Sequence, residues 1–143
     1  MKKISKSPKG TEAIARELAA TLTGGECVAL RGELGAGKTQ FVRGLAGALG
    51  ANPRRVSSPT FVLLNIYEGK KLKVFHLDAY RVSSEGEFEA IGWAELLEQN
   101  GVVVVEWAEK VKDLLPDKRI DVRIETTGKT TREITIRRLN WNG

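Results

Sequence analysis

The chain has 143 residues, a single cysteine and 41% hydrophobic side chains, with 23 basic against 18 acidic residues for a formal charge of +5. That length fits one domain, 1–143, and excludes a second sizeable core, while one cysteine excludes an internal disulfide and any cysteine-based zinc cluster. The interspersed charge suits an anionic ligand without establishing direct nucleic-acid binding, and the lack of a signal-peptide h-region or of any apolar run near about 18 residues predicts a cytoplasmic protein.

In chain order, Thr11 followed by E-A-I-A-R-E-L-A-A-T-L places Ile14, Leu18 and Leu22 on one stripe. This predicts an amphipathic helix with Thr11 as cap, ended by Gly24-Gly25. Cys27-Val28-Ala29-Leu30-Arg31 reads as a short apolar strand, with Cys27 as small core filling, and K-T-Q-F-V-R-G-L-A-G-A-L from Lys38 as a second helix that stops near Gly50. F-V-L-L-N-I-Y from Phe61 and L-K-V-F-H-L-D up to Asp78 are strand-like runs around Glu68-Gly69-Lys70-Lys71, which predicts an antiparallel hairpin. Residues 84–99 predict one or two short helices interrupted at Gly92. Gly101 then introduces V-V-V-V-E, an apolar run typical of a buried parallel strand. A short helix ends at Leu114-Leu115-Pro116, and the alternating runs R-I-D-V-R-I-E and R-E-I-T-I-R-R-L flank Thr127-Gly128-Lys129-Thr130 as a terminal hairpin with one wet face. No repeat, linker or low-complexity tract appears.

Between the first strand and second helix, Gly32 to Thr39 read G-E-L-G-A-G-K-T, the complete pattern of a phosphate-binding loop. A chance match in a chain this long is on the order of 1% by composition, and one lying between a strand and a helix is rarer. The chemistry explains the spelling. Gly32, Gly35 and Gly37 permit backbone conformations and approach distances that a β-carbon obstructs, so that successive N–H groups face the phosphates. Lys38 is expected to reach the β- and γ-phosphates, Thr39 to offer its hydroxyl to Mg²⁺, and the helix dipole to favour the same anion. The contact set predicted for the nucleotide is therefore Glu33, Leu34, Gly35, Ala36, Gly37, Lys38, Thr39 and Gln40.

Such a loop needs an acidic partner to hold and orient the metal's shell. Two predicted strands end in one: Val74-Phe75-His76-Leu77-Asp78 and Val102-Val103-Val104-Val105-Glu106. If both run parallel to 27–31, both acids lie at the carboxyl edge where ligands collect. Asp78 would hold the metal and Glu106 position either a metal-bound or an attacking water. Which of the two is the principal ligand stays open. Ser57-Ser58-Pro59-Thr60 has the composition of a segment that senses the γ-phosphate, with Thr60 the candidate contact, or of an ordinary turn. His76, the only histidine, reads as structural. Trp107 reads as a core aromatic or as a platform for a base or partner, and Trp93 and Trp141 as packing residues or surface anchors.

Taken together, G-E-L-G-A-G-K-T at 32–39, S-P-T-F at 58–61, H-L-D-A-Y-R at 76–81 and V-E-W at 105–107 resemble the TsaE (YjeE) family over essentially the whole chain. The resemblance implies an α/β, P-loop NTPase-like three-layer fold with a mixed central sheet and antiparallel hairpins. It implies an ATPase, weak alone, needed for forming N6-threonylcarbamoyladenosine (t6A) at position 37 of tRNAs that read codons starting with A. In that family the transfer is made by TsaD, paired with TsaB, and tRNA is reached through that complex; ATP binding or hydrolysis is thought to reset it between turnovers. Carried over, the loop binds ATP phosphates, Lys38, Asp78 and Glu106 form the catalytic set, and Thr39, Asp78 and Glu106 serve Mg²⁺. Thr11 falls where the family's N-terminal threonine or serine approaches the nucleotide, and Trp107 matches a tryptophan important for activity. Gln40 departs from the family's common second threonine.

Three alternatives remain at this point: a small P-loop kinase of a nucleoside or metabolite, a GTPase switch, and an ATP-sensing module with negligible turnover. The first needs an acceptor pocket and lid, and the insert from Arg81 to Gln99 is short and net acidic. The second lacks the Asn-Lys-x-Asp guanine signature. An isolated monomer is expected.

Overall fold

The computed structural model describes residues 1–33, 35–57, 64–80 and 82–140. In chain order its regular elements are β1 (Lys2–Ser5), α1 (Pro8–Ala19), β2 (Cys27–Gly32), α2 (Lys38–Ala48), β3 (Leu64–Tyr67), β4 (Lys73–Asp78), α3 (Glu85–Glu89), α4 (Trp93–Leu96), β5 (Gly101–Glu106), β6 (Arg119–Thr126) and β7 (Arg132–Leu139). The described strands form one seven-stranded sheet in the order β1-β7-β6-β2-β5-β4-β3. Its centre is parallel, with β4 beside β5, β5 beside β2, and β2 beside β6. Its margins are antiparallel, through β3 on β4 and β1 and β6 on β7.

The central strands are apolar along their whole length because both faces are covered. All six residues of β5 are buried. Val28, Leu30, Val74, Val102 and Val104 face one way and join Ile14, Leu18, Phe41 and Leu45 of α1 and α2 in one core. Cys27, Ala29, Phe75, Leu77, Val103 and Val105 face the other way and pack with Phe88, Trp93 and Val111. Sheet and helices therefore make three layers. Burial pushes the Cys27 thiol up to about 12, so it acts as core filling, as its place in the sequence suggests.

Three details differ from the sequence reading. β1 was not foreseen: a four-residue edge strand, held where Lys2 to Ser5 pair with Thr135 to Arg132. The cap of α1 is Ser7, not Thr11. Its hydroxyl accepts the Gly10 N–H at 3.0 Å, and Pro8 takes the first helical position, where a missing N–H costs nothing. Thr11 sits inside the helix, its N–H given to the Ser7 carbonyl at 3.1 Å. The helix also ends at Ala19, short of the glycines; a tighter turn, with the Leu22 N–H on the Ala19 carbonyl at 3.1 Å, still buries Leu22. The break between α3 and α4 falls at Gly92 as expected, where φ is 79°, and the short helix expected before Pro116 is a 3-10 run over Ala108–Leu114 with a kink at Val111. The strand expected from Phe61 is described from Leu64 onward, and residues 61–63 and Trp141 lie outside the described residues.

Helices α1 and α2 touch through a bare backbone. A β-carbon on Gly44 would lie 2.4 Å from the Glu12 carbonyl oxygen and 2.6 Å from the Glu12 Cα, atoms that cannot move without moving α1. Alanine is the better helix former by about 1 kcal/mol, yet here the clash dominates. Gly44→Ala is expected to lower stability by about 1–3 kcal/mol, read as a fall in the urea midpoint; an unchanged or raised midpoint would contradict the close approach.

Candidate active site

The glycine loop leaves the carboxyl end of β2 and enters α2. Gly37 caps the helix with φ 103° and Gly35 has φ 82°, left-handed conformations that strain any other residue. Among the described residues, a β-carbon on either would meet no atom within 4 Å, so none of them fills the space over this part of the loop. Gly32 is bare for a different reason. Its β-carbon would stand 2.8 Å from the Ile124 carbonyl oxygen, so this glycine serves the close approach of β2 to β6. The first bond of α2 runs from the Phe41 N–H to the Gly37 carbonyl at 3.0 Å. The amides of Lys38, Thr39 and Gln40 have no carbonyl inside the helix and form its positive end. Glu33 and Gly35 are exposed, Ala36 is buried, and the Gln40 side chain accepts from Arg43 at 2.9 Å. Leu34 lies outside the described residues.

Lys38 folds back over the loop. Its ammonium donates to the Gly32 carbonyl, reaches the Glu33 carbonyl at 3.5 Å, and stands 3.7 Å from the centroid of the Trp107 ring. The residue is only 6% exposed. Burial pulls the ammonium below its usual range, and the charges of Glu106, Glu109 and Asp78 draw it part of the way back.

The two acids foreseen at strand ends come together as expected. Asp78 and Glu106 are register partners at the carboxyl ends of β4 and β5, and Leu30 of the loop-bearing strand is the partner of Glu106 on its other side. Both are buried, at 7% and 2% exposure. Asp78 Oδ1 accepts the Tyr80 N–H at 2.8 Å. Glu106 Oε2 meets His76 Nε2, and His76 Nδ1 lies 2.9 Å from the Tyr67 hydroxyl. His76, completely buried, is thus in contact with the site; the strand pattern alone suggested a structural role and did not name this partner. Burial raises the Tyr67 phenol, a bond with the Ser57 backbone working against it.

Two further residues frame the loop. Trp107 follows Glu106 with φ 57°, a left-handed backbone rare for a bulky residue, and its ring lies 4.8 Å from that of Tyr80. Arg132, at the start of β7, donates to the Ala36 carbonyl at 3.0 Å and to that of Gly35 at 3.4 Å. Nothing in the sequence marked Arg132 for this, because the contact joins residues 96 apart in the chain. Thr11 is buried, its hydroxyl 2.8 Å from that of Ser5. Thr60, with Ser58 and Pro59, lies outside the described residues.

The donors suit a hard cation. Thr39, Asp78 and Glu106 offer oxygen only, the type Mg²⁺ takes. Among the described residues no group of three or more His, Cys, Asp and Glu gathers as a self-sufficient metal site. Three oxygen donors would leave the remaining positions of such an ion's shell to phosphate and water.

Comparison with known proteins agrees with the motif pattern. Residues 5–134 match the family model described as "Threonylcarbamoyl adenosine biosynthesis protein TsaE". The chain is 41% identical to the tRNA threonylcarbamoyladenosine biosynthesis protein TsaE of Bacillus subtilis (strain 168) over 130 residues, 91% of this chain and 80% of that one. It is 42% identical to the TsaE of Aquifex aeolicus over 138 residues, 94% of each chain, and 38% identical to that of Treponema pallidum over 136 residues, 95% of this chain and 99% of that one. A crystal structure of Bacillus subtilis YdiB superposes with a TM-score of 0.79 at 33% identity, covering 98% of this chain and 86% of that one. On the family match and these identities, the chain belongs to the TsaE family of threonylcarbamoyl adenosine biosynthesis proteins.

Proposed function

We propose that this chain is a Mg²⁺-dependent ATPase of the tRNA t6A machinery, cytoplasmic and acting with TsaD and TsaB subunits, with tRNA engaged through that complex. The observation that carries this reading is that two register-paired carboxylates, Asp78 and Glu106, on adjacent parallel strands act through their charges on the ammonium of Lys38, the first residue of α2. In this reading the open side of the loop at Gly35 and Gly37 receives the phosphate chain, and the unbonded amides at the start of α2 donate to it. Lys38 exchanges its carbonyl partners for β- and γ-phosphate oxygens, which are stronger acceptors because they are charged. Thr39 and the two carboxylates hold the metal, which, when bound, offsets phosphate charge. Glu106 aligns the attacking water. Trp107 presents its ring face to the Lys38 ammonium, with Tyr80 packed against that ring, and Thr11 and Thr60 remain candidates for nucleotide contact on sequence grounds.

Phosphate release from ATP by the purified protein is expected to be slow, and to rise on adding TsaD, TsaB and tRNA. Transfer of phosphate to a small acceptor instead would favour a kinase, and binding without turnover in the complex would favour a sensing module. Lys38→Ala should abolish ATP–Mg²⁺ binding and Glu106→Ala should keep it while losing turnover, measured by calorimetry beside phosphate release; the opposite pattern would refute the assigned roles. Arg132→Ala should weaken ATP binding about tenfold with the fold intact, since bonds from a charged donor contribute about 1.5–3 kcal/mol; unaltered affinity would show that the loop holds its shape without the clamp.

A further inference from the structure

His76 is a buried group at the site with no part in the reading above, and its surroundings are specific. It lies on the same strand and face as Asp78, two residues before it, and its register partner on β5 is Val104, two residues before Glu106. That spacing sets the imidazole beneath both acids and lets it reach Glu106 Oε2. A carboxylate has no hydrogen to give, so Nε2 donates. The ring's other nitrogen, Nδ1, faces the Tyr67 hydroxyl at 2.9 Å. Tyr67 is itself tied down, its oxygen 3.3 Å from the Ser57 N–H and 3.0 Å from the Ser57 carbonyl; that carbonyl is also reached by Asn65 Nδ2 at 3.4 Å. The tyrosine and imidazole rings pack at 5.7 Å between centroids. The chain of contacts thus runs from the end of β5, through β4 and β3, to backbone at Ser57.

We infer that His76 is a positioning residue for Glu106: its Nε2 fixes one carboxylate oxygen, Tyr67 fixes the ring from behind, and Oε1 is left for the reacting side. Among the described residues no hydrogen bond is made to Oε1. The need is physical. A glutamate has three side-chain torsions and would lose orientation if nothing held its end, and a misplaced general base or water ligand loses about ten- to a hundredfold in rate. Loss of a ring nitrogen should therefore act on turnover and spare nucleotide affinity, because the loop, not His76, grips the phosphates. The inference rests on the ATPase reading for its catalytic half and on the hydrogen-bond geometry alone for its structural half.

A single histidine makes the test direct. In the intact chain without nucleotide, ¹⁵N–¹H NMR should show a slowly exchanging imidazole Nε2–H, far downfield, whose shift moves in Glu106→Gln and in Tyr67→Phe. With TsaD, TsaB and tRNA present, His76→Phe should lower kcat about tenfold or more with ATP affinity within about twofold. His76→Gln, which returns an N–H donor near the Nε2 position, should recover most of the loss. Tyr67→Phe, a gentler change, should lower kcat by a smaller factor if His76→Phe does not fold. An imidazole resonance indifferent to Glu106→Gln overturns the inference alone, as does a folded His76→Phe protein with unchanged kcat or with affinity falling in step. A wild-type complex that binds ATP but releases no phosphate overturns the ATPase reading and the catalytic half, whatever the resonance shows.

Discussion

The parallel pairing of β4, β5 and β2 is the constraint on which the site depends, because it makes three strands end at one edge and in one register. It gathers Lys38, Asp78 and Glu106 into a corner where each is less than a tenth exposed. Burying charges is costly, and removing one partner from such a group typically costs about 3–5 kcal/mol. The structure offsets the cost locally: Asp78 accepts the Tyr80 N–H, Glu106 is met by His76, and Lys38 is satisfied by loop carbonyls and the face of Trp107. The opposing charges also hold one another in place, which is why the Lys38 ammonium, although lowered by burial, is drawn back by three acids.

What could be read from the sequence was what repeats at short range. Gly32 to Thr39 is a local pattern, the apolar runs of β4 and β5 are local, and their terminal acids follow directly; parallel pairing then did the rest. The stripe of Ile14, Leu18 and Leu22 was equally plain, since all three are buried. The helix cap was misread because Ser7 and Thr11 are both good capping residues, and the deciding signal was Pro8, which fits only the first helical position. β1 escaped notice as a polar, four-residue edge strand whose partner lies at the other end of the chain.

The partners of His76 and Arg132 were not foreseen, for a deeper reason. Alternation along a strand states which face a residue occupies and not what stands opposite it. Glu106 is 30 residues from His76, and the contact exists only once Asp78 is aligned with Glu106 instead of with a neighbouring valine. A slip of one residue would turn the imidazole to the other face, against Phe88 and Trp93, where no carboxylate waits. For Arg132 the missing information was the register of the terminal hairpin. The pairing of Thr126 with Arg132 and of Gly32 with Ile124 brings that end of β7 beside the loop, so a hairpin without a signature of its own reaches the loop's carbonyls.

The corner also divides into contacts of two kinds, and the division bears on how a nucleotide-binding site of this type would work. Lys38 is held by neutral carbonyls and an aromatic face, interactions that charged phosphate oxygens would outcompete. Trp107 keeps a left-handed backbone directly after Glu106, so the turn that puts its ring over the lysine costs conformational energy that the rest of the fold must cover. Glu106 is different: it is held from within the sheet, through His76 and Tyr67, by groups that no ligand entering at the open glycine loop displaces. On the ATPase reading, the binding half of the site is therefore built to exchange partners and the hydrolytic half to stay fixed. Binding without the fixed half would give a sensor. On that same reading, the buried histidine behind the carboxylate, more than the loop in front of it, would keep the hydrolytic half in place.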